Sequence, residues 1–70
     1  MMPLVLATSG EENIIRKVGG NAETKKHLED MGFVVGGTVT IVNTISGNLI
    51  VKVKETRVGL DEAMARRIMI

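Results

Sequence analysis

Seventy residues suffice for one small domain, one that hides only roughly 60% of its unfolded surface and so folds with a thin margin. There are no cysteines, which excludes disulfides and thiolate zinc sites, and nine basic against eight acidic groups leave a formal charge of +1, too balanced for a whole-molecule pull toward nucleic acid or an anionic membrane. Apolar residues make up 44% of the chain, Phe33 is its only aromatic residue, and no run approaches the about 20 apolar residues of a membrane span, so an aliphatic core under a compact sheet is expected.

The first segment, Met1 to Ala7, is apolar but short, has no basic leader and is soon followed by Glu11-Glu12. That pattern argues against a signal peptide and for an opening strand or arm lying on the core. Absent cysteines fit a reducing cytoplasm. Glycines then punctuate the chain at Gly10, Gly19-Gly20, Gly32, Gly36-Gly37 and Gly47. Between the first two marks, residues 13–18 read as a strand. Ile14, Ile15 and Val18 cannot share one face at period two, so a bulge or bend near Arg16-Lys17 is expected.

One good helix follows. Asn21 is a capping residue, Glu23 sits near the positive end of the helix dipole, and Ala22 through Met31 run without Gly or Pro. Gly32 falls where a left-handed residue ends a helix, which pairs Leu28 with Phe33 in the hydrophobic contact of a Schellman ending. Thr24, Leu28 and Met31 form the expected buried stripe. So short a helix does not persist alone in water and must lean on a sheet.

From Thr38 the period becomes two. Val39, Ile41 and Ile45 are expected inward, with Thr38, Thr40 and Thr44 outward. Gly36-Gly37 allow a sharp entry into this strand, and Ser46-Gly47-Asn48 make a tight turn. Leu49, Val51 and Val53 resume the inward set against Ile50, Lys52 and Lys54. A second reversal near Glu55-Thr56 leads into residues 57–60, Asp61 caps a short helical turn, and Ile68 and Ile70 face inward at the close. The expectation is a mainly β fold: a small, partly open barrel of about five strands, with an α-helix after the first strand and a helical turn before the last.

Several segments resemble the FeoA domain family. Leu28-Glu29-Asp30-Met31-Gly32-Phe33-Val34-Val35-Gly36-Gly37-Thr38-Val39 is similar to its L-x-x-[LM]-G-[FIL]-x-x-G-x-x-[VI] signature. Gly47-Asn48-Leu49-Ile50-Val51-Lys52-Val53 resembles its second-hairpin strand, and Val58-Gly59-Leu60 through Ile68-Met69-Ile70 resembles its closing [IV]-[AG]-L-x-x-x-x-A-x-x-I-x-V segment. The resemblance covers nearly the whole chain in order. It implies an SH3-like barrel and a cytoplasmic accessory role beside the FeoB-type membrane iron transporter. A second branch of the family forms the C-terminal domain of DtxR-type metal-dependent regulators. With no helix-turn-helix and nothing ahead of the domain, the free-standing form is the expectation.

Catalysis has little to stand on. His27 is the only histidine, cysteine and tyrosine are absent, and no glycine cluster has the P-loop spacing. No enzyme and no cofactor are expected. Glu23, His27 and Asp30 fall at i, i+4 and i+7 on one helix face, a donor set suited to ferrous iron or zinc. The alternative is a solvated polar face with Glu23–His27 and Lys26–Asp30 as i,i+4 pairs, and that reading takes precedence. Partner contact has a better basis in the outward stripe Lys52, Lys54 and Arg57, with Ile50 and Val42 beside it, because like charges facing across a sheet need an offsetting acid or a partner. Two other functions remain open: an SH3-like nucleic-acid or ribosome-associated module, which lacks base-stacking aromatics, and a free-standing metal-sensing domain.

Overall fold

The computed structural model describes residues 1–70. The chain starts against its own end. Met2 and Ile70 exchange two backbone hydrogen bonds, of 2.9 and 2.8 Å, and Pro3 bridges Met69. A 3₁₀ turn at Leu4–Leu6 then tucks Leu4 fully into the core. The apolar N-terminal segment is thus an arm on the core.

The segment expected as one strand is two, β1 (Glu12–Ile14) and β2 (Lys17–Val18). The break falls at Ile15-Arg16. The Ile15 N–H donates to the Gly37 carbonyl and its own carbonyl accepts from the Gly36 N–H, each at 2.8 Å, while Arg16 donates to Met69. Adjacent isoleucines cannot both point inward from one regular strand, so the chain changes sheets between them. Ile15 and Val18 reach the core, and Ile14 stays outside. The helix therefore follows the second strand, and the strands number six.

Helix α1 (Ala22–Asp30) begins at Asn21, whose Oδ1 accepts from the Thr24 N–H at 2.8 Å. Its end is a Schellman pair: Gly32 donates to the Glu29 carbonyl at 2.9 Å and Phe33 to the Leu28 carbonyl at 3.0 Å. Gly32 has φ of +107°, a conformation costly for any residue with a Cβ. Leu28 and Phe33 are both fully buried, each stabilising the fold by about 1.5–3 kcal/mol. Thr24 and Met31 are only partly buried. The buried stripe is therefore narrower than expected, and α1 is fastened mainly by Leu28 and its C-terminal end.

Strands β3 (Thr38–Ile45), β4 (Asn48–Val53) and β5 (Thr56–Leu60) form an antiparallel meander that β1 extends, in the order β1-β3-β4-β5. The two turns are Ser46-Gly47 and Lys54-Glu55, so Asn48 and Thr56 belong to strands. The register shifts between Ile41 and Asn43, a β-bulge at Val42. The extra residue reverses the facing of everything after it. Thr44 now pairs with buried Leu49, and Ile45, expected inward, pairs with Asn48 and is 54% exposed.

After β5, Asp61 Oδ1 accepts from the Met64 N–H at 2.8 Å and caps α2 (Glu62–Ala65). The chain ends in β6 (Ile68–Met69), which pairs with β2 as a separate two-stranded sheet. No ladder joins the two sheets. They pack instead over a shared apolar core, aliphatic except for Phe33, its largest member. No helix is long and apolar enough to cross a membrane.

Candidate functional site

The four-stranded sheet has one face on the core, carrying Val39, Ile41, Val51 and Val53, and one open face. Alternation along each strand decides which side chains the open face receives. One row crosses all four strands: Glu12 opposite Thr40, Thr40 opposite Lys52, Lys52 opposite Arg57. Lys52 and Arg57 are thus direct cross-strand neighbours of like charge, an arrangement that destabilises a bare sheet. Neither forms an ion pair; the one salt bridge in the chain joins Glu62 and Arg66.

Lys54 differs from its expected place. It lies in the turn before β5, and Lys52 rather than Lys54 is the neighbour of Arg57. Its stem runs across the end of α1, with Cδ 3.4 Å from where a Cβ on Gly32 would stand. Lys54 also borders an all-polar concavity of about 280 Å³ lined by Glu12, Thr38, Thr40, Lys52, Lys54 and Glu55. Ile50 lies half-buried on the same face, its Cδ1 3.6 Å from the Cβ position of Gly59. Ile14 and Val42 are exposed apolar residues nearby along β1 and at the bulge. The face offers the cations Lys52, Lys54 and Arg57, the carboxylates of Glu12 and Glu55, threonine hydroxyls and a modest apolar contribution.

The helix candidates do not converge. Glu23, His27 and Asp30 are all exposed on α1, and no three His, Asp or Glu side chains anywhere in the chain come together into a set that could hold a metal ion. The i,i+4 pairs Glu23–His27 and Lys26–Asp30 are not formed either. No polar or charged side chain is buried.

Sequence reasoning missed a second basic cluster. Lys17, Arg66 and Arg67, with Met1, Gly19, Gly20 and Met69, line an open concavity of about 330 Å³. The pairing of Lys17 with Met69 across β2 and β6 brings the two chain regions together. No local spacing signals that meeting. Arg66 is already engaged by Glu62 there, whereas Lys52 and Arg57 have no such partner.

These elements make a small β domain with one sheet face on the core and the other open and charged. Its family is specific: residues 2–70 match the FeoA domain, and the chain belongs to the FeoA family. It is similar over its whole length to a Methanocaldococcus jannaschii protein assigned as Fe(2+) transport protein A, with 27% identity over 70 residues covering 85% of that protein. Among solved structures it resembles an iron uptake regulatory protein, FeoA, with a TM-score of 0.88 and 25% identity over 97% of this chain and 90% of that one. It also resembles the FeoA of Stenotrophomonas maltophilia, a prokaryotic SH3 domain protein complexed with zinc, with a TM-score of 0.85 and 25% identity over 99% of this chain and 88% of that one. The fold is accordingly SH3-like, and the role is that of a non-enzymatic accessory protein of ferrous iron transport.

Proposed function

We propose that this protein works in the cytoplasm by docking on a FeoB-type membrane iron transporter, and that Ile50, Lys52, Lys54 and Arg57 form the docking face. The observation that carries the reading is the direct opposition of Lys52 and Arg57 across β4 and β5 with no acid paired to either. An acidic surface on the transporter's cytosolic part would relieve that repulsion and steer association. Half-buried Ile50 adds apolar contact beside the cations. Zinc belongs to the Stenotrophomonas complex; here no convergent ligand set supports a resident metal, and docking needs none.

The test is charge reversal, Lys52→Glu with Lys54→Glu. Lys52→Glu replaces a like-charge pair with an opposite-charge pair across from Arg57, so the variant should stay folded and melt at or slightly above the parent. Its affinity for the transporter's cytosolic domain should fall by about tenfold or more, mainly through slower association, and added salt should imitate the change in the parent. Iron uptake should fall in parallel. A stably folded reversal variant that binds and supports uptake like the parent would move the docking face elsewhere, with the helix end around Phe33–Gly37 next in line.

A further inference from the structure

Strand β5 ends the four-stranded sheet, and its far edge is open. In a two-residue hairpin the residues flanking the turn form a hydrogen-bonded pair, and bonded and unbonded pairs then alternate. Val53 and Thr56 flank the Lys54-Glu55 turn. Thr56, Val58 and Leu60 therefore direct their N–H and C=O groups to β4, and Arg57 and Gly59 direct theirs to the free edge. No other segment claims them: the backbone hydrogen bonds made outside helices and ladders involve none of residues 56–60.

Edges of this kind are commonly guarded by a proline, a bulge, a charged side chain or a covering element, and Arg57 is the one charge that β5 carries. β5 has no proline and pairs with β4 residue for residue without a shift. Gly59 is exposed, and the only heavy atom within 4 Å of its Cβ position is Ile50 Cδ1, at 3.6 Å on the β4 side.

We propose that β5 accepts an extended acidic segment of a protein partner as an added strand. Arg57 and Gly59 supply the backbone pairing. A carboxylate on the outer face of the added strand would meet Arg57 as its neighbour and lie about 10 Å from Lys52, two strand spacings away and about one Debye length at 0.1 M ionic strength. Charge selects this occupant over a second copy of the chain, whose β5 would bring another Arg57 to a row already holding two unpaired cations. The inference rests on the sheet face being the docking surface and specifies how the partner is held there.

The experiment is amide hydrogen exchange on the full chain, with an end-blocked synthetic peptide alternating Glu and Val as the probe. At saturation, exchange at the Arg57 and Gly59 amides should slow by about tenfold or more, while Thr56 and Val58, already bonded to β4, change little. The same peptide with Lys in place of Glu should give no protection. Gly59→Pro removes an outward N–H and no ladder bond, so a folded variant should lose the protection at Arg57 and bind the transporter's cytosolic domain more weakly. No slowing with the acidic peptide in the parent overturns the proposal, whether or not the proline variant folds. Slowing that grows with protein concentration alone overturns it too, since the occupant would then be a second copy. If Lys52→Glu with Lys54→Glu weakens transporter binding and a folded Gly59→Pro does not, the face docks without an added strand. If neither weakens it, the docking reading fails as well.

Discussion

The Ser46-Gly47 turn between β3 and β4 and the Lys54-Glu55 turn between β4 and β5 both run through left-handed backbone at their two central residues. The φ values are +50° and +83° in the first, +48° and +63° in the second. This geometry matches the twist of the flanking strands, and it favours Asn or Asp followed by Gly. The first turn comes close to that chemistry, and its Gly47 stands free, with nothing within 4 Å of its Cβ position. The second puts two long charged side chains into the same backbone, at a cost of about 1 kcal/mol each. What separates them is support. Lys54 lays its stem over Gly32 at the end of α1, while the first turn projects into solvent. A turn held by its own residues must obey local preference. A turn braced on another element can carry residues that serve the surface, and Lys54 and Glu55 both line the polar concavity of the proposed docking face.

Three variants would break or sharpen this contrast. The largest effect belongs to the brace itself. Gly32→Val puts a β-branched side chain at φ of +107° and against Lys54 and Val53, so urea unfolding should show a loss of about 2 kcal/mol or more. A variant as stable as the parent would mean that the helix end does not hold the second turn. Next, Lys54→Asn with Glu55→Gly gives that turn its preferred residues and should raise stability by about 1 kcal/mol in the same measurement, while weakening binding to the transporter's cytosolic domain. A loss of stability instead would show that the Lys54 stem contributes more than its backbone strain costs. Smallest is Ser46→Asn, which should add about 0.3 kcal/mol, read as a slightly higher midpoint in parallel melts. A larger gain there would erase the distinction between a relaxed turn and a strained one.

Local chemistry was legible in the sequence wherever a residue's role depends on its near neighbours. Asn21, Gly32 and the Leu28–Phe33 pair could be placed because a cap is settled within one turn of helix. Leu49, Val51 and Val53 could be read inward because their strand is regular. The misplaced residues lie where non-local pairing overrides period two. The bulge at Val42 exists only in the register of β3 against β4, and without it Ile45 would face inward. The break at Ile15 is fixed by Gly36, Gly37 and Met69, which no local pattern couples to it. The same limit applied to the docking face. Lys52 and Arg57 were named from alternation, yet their direct opposition follows from a turn one residue earlier than the sequence suggested.

The hydrogen bonds between Met2 and Ile70, continued by Pro3–Met69 and by β2 with β6, carry a consequence for how the molecule assembles. The meander of β3, β4 and β5 closes through two-residue loops and can form quickly from neighbouring pieces of chain. The clasp between the chain ends must close almost the whole sequence into a loop, and nothing offsets that entropy until the core is nearly complete. Leu4, Ile15 and Ile68, all fully buried, ride on this clasp or next to it. The kinetic order therefore puts the meander first and the sealing of its core by both ends last. By the same reasoning the pairing of Met2 with Ile70 is expected to open first on unfolding, which faster hydrogen exchange at those two amides than in the meander would show.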